Sequence, residues 1–138
     1  DQLLAGSLAE NIACFDPTPS EAKIKRSAKL ADIDATIKTM PMGYQTLVPE
    51  LGTGLSGGEK QKILLARALY RETKILVMDE ATSHLDVRSA QNIIKSLETM
   101  HITRVFIAHR PETLALAQRV IRLENGQLTA DNYNKGDM

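Results

Sequence analysis

At 138 residues the chain can build one hydrophobic core and has little room for a second. Lysine plus arginine and aspartate plus glutamate stand at 17 each, so the formal charge is zero and no excess of basic residues argues for a dedicated nucleic-acid binder. A single cysteine, Cys14, excludes an internal disulfide, and no apolar run approaches the roughly 20 residues that cross a bilayer.

Cys14 reads as a small core residue, since nothing basic adjoins it in sequence. The opening Asp1 to Ser7 carries no start methionine and reads as mid-domain sequence, as expected of a piece of a longer protein. Ser7-Leu8-Ala9-Glu10 has the form of a capping box at a helix start. Thr18-Pro19-Ser20-Glu21 repeats that form, with Pro19 at the first helical position. Glu21 to Met40 then predicts one helix or two short ones, stopped by Pro41 and Gly43. Tyr44 to Gly54 predicts a loop with extended pieces, and about Gly58 to Tyr70 a helix burying Ile63, Ala66, Leu69 and Tyr70.

The second half alternates. Lys74 to Met78 is a buried-strand pattern ending in Asp79-Glu80, and a helix is predicted from about Val87 to Met100. Arg104 to Ala108 predicts a second strand, and Pro111 to Gln118 a short helix. Arg119 to Leu123 and Gln127 to Ala130 flank Glu124-Asn125-Gly126, a hairpin signal. Strand–helix–strand–helix order implies parallel strands covered by helices, with a polar, loose tail from about Asp131.

Two runs carry chemistry. Leu55-Ser56-Gly57-Gly58-Glu59-Lys60-Gln61 opens a helix with two glycines, whose bare N–H groups suit an anion such as a phosphate. Asp79-Glu80, at the end of an apolar strand, can support a magnesium ion and position a water. Either run alone reads more plainly as a turn.

In this order and at this distance they resemble the nucleotide-binding domain of ABC transporters, and the resemblance covers nearly the whole chain. It implies a partial P-loop NTPase fold of the α/β class: a helical subdomain with X-loop and signature over 1–58, half of a RecA-like parallel-sheet core over 59–130, and a tail over 131–138. By that resemblance Asp79 is the Walker B aspartate supporting magnesium, through water, and Glu80 the catalytic base or water-orienting group. His109 is the histidine that contacts the terminal phosphate. Ser56, Gly57, Gly58 and Glu59 bind the ATP held by a second nucleotide-binding domain. Asp86, closing Ser83-His84-Leu85-Asp86, takes part in D-loop contacts across that dimer. Glu59 stands where glutamine is commonest, and Lys62 where arginine is common. Thr46 to Gly52 resembles the exporter-type X-loop, which gives Glu50 a coupling role toward the transmembrane domains.

With Asp1 to Ile12 and Ile107 to Thr113, the pattern is similar to colicin-V-type peptide secretion exporters. Those sit on the cytoplasmic face of the bacterial inner membrane, reach the membrane through transmembrane domains only, and bind no nucleic acid. No Gly-x-x-x-x-Gly-Lys-[Ser/Thr] occurs: Gly52 and Gly57 have the separation, but Gly58-Glu59 follows. The Walker A part is therefore missing, and the isolated chain is expected to be inactive. The Q-loop glutamine should lie two residues before Asp1, so Gln2 is at the wrong offset. Two alternatives stand beside the exporter reading: a soluble ABC ATPase of DNA repair or chromosome organisation, and a non-catalytic interaction module offering a signature face.

Overall fold

The structure is a computed structural model and describes residues 2–79, 84–109, 111–115 and 117–133. The first half is helical: β1 (Gly6–Ser7), α1 (Leu8–Ile12), α2 (Glu21–Leu30), α3 (Asp34–Thr39), β2 (Leu47–Val48) and α4 (Gly57–Tyr70). Ser7 caps α1 as expected, its Oγ accepting the Glu10 N–H at 3.1 Å while Glu10 Oε2 accepts the Ser7 N–H at 2.7 Å. The second cap differs from expectation. Ser20, not Thr18, is the N-cap of α2, and Pro19 precedes it instead of opening the helix. The Thr18 N–H is taken by Asp16 Oδ1 at 2.9 Å, which leaves Thr18 in a turn.

Glu21 to Met40 divides into two helices because Asp32 turns the chain at φ 57°, in the left-handed region. From α2, Ile24, Ser27 and Ala28 face inward at helical spacing. From α4, Ile63, Leu65, Ala66, Leu69 and Tyr70 do the same, so α4 packs on α1 and α2 through its expected face. The loop before α4 holds two short 3₁₀ turns (Gly43–Gln45 and Glu50–Gly52) around β2, which pairs antiparallel with β1.

The second half contains β3 (Ile75–Asp79), α5 (Val87–Glu98), β4 (Thr103–Ile107), α6 (Pro111–Ala115), β5 (Arg119–Glu124) and β6 (Gln127–Tyr133). β3 and β4 are parallel, with Asp79 opposite Ile107. Leu76 and Met78 are 5 % exposed while Ile75 and Val77 are 60 % exposed. An apolar run that reads as buried on both faces is therefore covered on one. The β5–β6 hairpin turns at Asn125 (φ 51°) and Gly126 (φ 76°), the two left-handed positions that an Asn-Gly turn supplies. β6 continues to Tyr133, past the expected strand end at Ala130. Asp131 belongs to it and accepts two hydrogen bonds from Arg119, at 2.8 and 2.7 Å, so the loose tail does not begin there.

One core joins the halves, running from Leu8, Ile12 and Ile24 through Ile63 and Ala66 to Leu76, Met78, Ile93 and Leu97. Cys14 is not in it. The residue is exposed at φ 56°, with Arg71 Nη1 3.7 Å from its Sγ. Its place in sequence hid this, because Arg71 arrives from the far end of α4.

Candidate functional site

The entrance of α4 and the segment leading into α5 face each other across a cleft of about 330 Å³. Ser56 is extended (φ −65°, ψ 159°) and caps α4, its Oγ accepting the Glu59 N–H at 3.2 Å. Glu59 Oε2 accepts the Ser56 N–H at 2.7 Å. The capping box sets the turn, and it also engages the Glu59 carboxylate within the chain. The first N–H groups of α4 have no partner inside the helix, and the positive end of its dipole lies here.

The opposite wall leaves little room for a side chain at Gly57 or Gly58. A Cβ on Gly57 would stand 3.3 Å from His84 Cδ2, and one on Gly58 3.0 Å from the His84 carbonyl oxygen. Gln61 Nε2 lies 3.0 Å from His84 Nδ1, tying α4 to the same residue. His84 thus organises the cleft. The sequence marked it only as part of Ser83 to Asp86.

Asp86, exposed on the cleft rim, is the N-cap of α5, and its Oδ1 accepts the Ser89 N–H at 2.9 Å. That backbone hydrogen bond, then the Ser89 hydroxyl and the Lys62 charge, hold the Asp86 carboxyl below its usual range. Lys62, also lining the cleft, lies 2.9 Å from both Asp32 Oδ2 and Ser89 Oγ.

Asp79 ends β3, and His109 follows β4 two residues beyond Ile107. The parallel register brings both to the carboxyl ends of adjacent strands, where α/β sheets place their ligands, and both are exposed. Glu80, the expected base, lies outside the described residues. Among the described residues no three histidine, cysteine, aspartate or glutamate side chains gather as a metal site. A lone Asp79 fits magnesium nonetheless, which takes one or two carboxylates and fills the rest with water and phosphate oxygens. Glu50 is exposed at the start of its 3₁₀ turn and does not line the cleft.

A network that sequence reading missed holds the first residues to α4. Arg67 donates through Nε to the Asn11 carbonyl at 2.8 Å, through Nη2 to Asn11 Oδ1 at 2.7 Å and through Nη1 to the Gln2 carbonyl at 3.0 Å. Asn11, fully buried, also accepts the Leu4 N–H and donates to the Leu4 and Ser7 carbonyls. Only the Ala-Arg-Ala setting of Arg67, inside an apolar helix face, hinted at such a role.

The parallel strands with helices between them make this an α/β domain, and a glycine-opened helix N-terminus is a feature such domains use toward anionic ligands. The family model for ABC transporters matches residues 2–83. The colicin V secretion/processing ATP-binding protein CvaB of Escherichia coli is 50 % identical over 123 residues, covering 89 % of this chain and 18 % of that protein. The alpha-hemolysin translocation ATP-binding protein HlyB of Proteus vulgaris is 42 % identical over 135 residues, covering 96 % of this chain and 19 % of that protein. Among solved structures, that of a bacterial Atm1-family ABC exporter with ATP bound superimposes with a TM-score of 0.91 at 37 % identity, over 96 % of this chain and 24 % of that one.

The chain belongs to the ABC transporter family, and its fold is part of the ABC ATPase fold. It spans about a fifth of the length of these curated relatives. They are ATP-binding proteins of export systems, which does not favour the alternative of a DNA-repair or chromosome ATPase.

Proposed function

We propose that this chain supplies the signature, Walker B, D-loop and H-loop part of the ATP-hydrolysing domain of an exporter, moving a peptide, bacteriocin or similar substrate. One observation carries the reading: the signature turn Ser56–Gly58 stands open across a cleft from His84–Asp86, the segment that follows the Asp79 strand end. The Ser56 hydroxyl and the glycine N–H groups would donate to phosphates of an ATP held by a second nucleotide-binding domain, favoured by the α4 dipole. Asp79 would hold magnesium, in part through water; the bound ion would offset charge on the phosphates. Glu80 would take the proton of the attacking water, and His109 would donate to the terminal phosphate. Asp86 would stand at the contact between the two domains.

Among the described residues no helix is long and apolar enough to cross a membrane. The partner in the membrane would be a transmembrane domain, reached through Glu50 on the exposed loop before α4, at the cytoplasmic face of the bacterial inner membrane. The test is magnesium-dependent ATP hydrolysis by this chain and by a longer chain that includes a Gly-x-x-x-x-Gly-Lys-[Ser/Thr] loop, each beside Glu80→Gln. Hydrolysis is expected only in the longer form, with Glu80→Gln lowering kcat by about 10²- to 10⁴-fold. Equal Glu80-dependent hydrolysis in the 138-residue chain would overturn the account of the missing loop. A longer form without hydrolysis would leave the non-catalytic interaction module as the better reading.

A further inference from the structure

We infer that Lys62 is a positioning residue for ATP hydrolysis, holding the signature turn and the first turn of α5 at a fixed separation; the inference rests on the exporter-ATPase reading above. Lys62 is only 13 % exposed and its ammonium meets two partners from different elements. Asp32 Oδ2, at the turn between α2 and α3, lies 2.9 Å away, and Ser89 Oγ, in α5, lies 2.9 Å away. Asp32 uses its other oxygen to accept Asn92 Nδ2 from α5 at 3.3 Å. Ser89 in turn donates its N–H to Asp86, the residue on the cleft rim. The chain of contacts therefore runs from α4 through Lys62 and Ser89 to Asp86, with Asp32 as a shared anchor for α4 and α5.

A simple ion pair at the surface would do little. Lys62 differs in joining both walls of one cleft from a mostly buried position. On the reading above one wall would meet the ATP of the second domain and the other that domain itself, so both must dock on one partner together, and a displacement of about 1 Å is enough to cost on the order of 10²-fold in rate. Arginine has the charge and reach to span the same partners, whereas methionine fills the space and spans neither.

The experiment uses the full-length protein that carries this chain and measures kcat and KM for magnesium ATP in Lys62→Arg, Lys62→Met, Ser89→Ala and the Lys62→Met/Ser89→Ala double variant. Lys62→Met is expected to lower kcat about tenfold with KM within about twofold, while Lys62→Arg stays within about threefold of the parent. The double variant is expected to be no worse than Lys62→Met, since both break one chain of contacts. Losses that multiply, an arginine variant as poor as methionine, or an unchanged kcat in Lys62→Met would each overturn the inference. Amide hydrogen exchange supplies a readout that needs no turnover: Lys62→Met should speed exchange in both the signature turn and the first turn of α5, and Lys62→Arg in neither. Unaltered exchange at α5 in Lys62→Met would also overturn it. Absence of Glu80-dependent hydrolysis in the parent would defeat the ATPase reading itself, and coupled exchange in that case would still support the clamp.

Discussion

At the entrance of α4 the Glu59 carboxylate accepts the Ser56 N–H and completes the cap, and the same charge lines the cleft where phosphates would approach. These two effects oppose each other: the anion favours the helix terminus and repels a second anion arriving there. Glutamine at this position keeps the capping box and removes the charge. Glu59→Gln is therefore expected to lower KM for magnesium ATP in the full-length protein about two- to fivefold, the scale of one exposed charge at a helix end. Salt should shrink the difference; an unchanged or raised KM at low salt would contradict the argument. Ser56 and Glu59 have the three-residue spacing of a capping box, a signal that reading the run as a glycine-opened helix start passed over. The sequence does not show that the His84 ring and backbone crowd the space beside Gly57 and Gly58. That constraint comes from His84, far along the chain, and the Arg71 guanidinium near Cys14 comes from farther still.

Among the elements, α3 has no side-chain cap on Ile33, and its charged first residue is used differently. Asp34 is buried, accepting Tyr44 Oη at 2.6 Å and Lys38 Nζ at 2.8 Å, so it ties α3 to the 3₁₀ turn that precedes β2. Burial, the largest single influence, pulls its carboxyl upward. The Lys38 and Tyr44 hydrogen bonds, with the Lys38 and Lys29 charges, outweigh that and hold it below the ordinary 3.8. A carboxyl lowered in the folded state stabilises fully above its ordinary value and stops doing so as pH falls through the lowered one. The stability gap between parent and Asp34→Asn, followed by urea unfolding, should stay flat from neutral pH to about pH 5 and close in stronger acid. A gap that widens in acid would contradict it. The i,i+4 spacing of Asp34 and Lys38 is visible in the sequence. The Tyr44 contact is not, since it depends on how Pro41 to Gly43 reverse the chain.

For the molecule as a whole, the informative feature is the uncovered side of the β3–β4 sheet. Ile75 and Val77 are 60 % exposed, with Val105 and Ile107 at 46 % and 48 % beside them. Parallel strands are normally covered on both faces, and a bare apolar stripe on a sheet favours association. Val77→Lys in the 138-residue chain is expected to lower self-association measured by sedimentation, with little effect on far-ultraviolet circular dichroism. Undiminished association would place the sticky surface elsewhere. The existence of the elements was legible because hydrophobic period, caps and the Asn-Gly turn are local properties. Ser56, Asp79 and His109 stood out as candidates because each lies at or next to the end of an element, in motifs of fixed order. The sequence alone thus determined the family, the kinds of element and their order. Tertiary structure decided which face of β3 is covered, that His84 stands across the cleft from the two glycines, and that Lys62 and Arg67 bind distant segments. Those outcomes depend on contacts between residues far apart in the chain, and no local pattern encodes the distance at which two such surfaces come to rest.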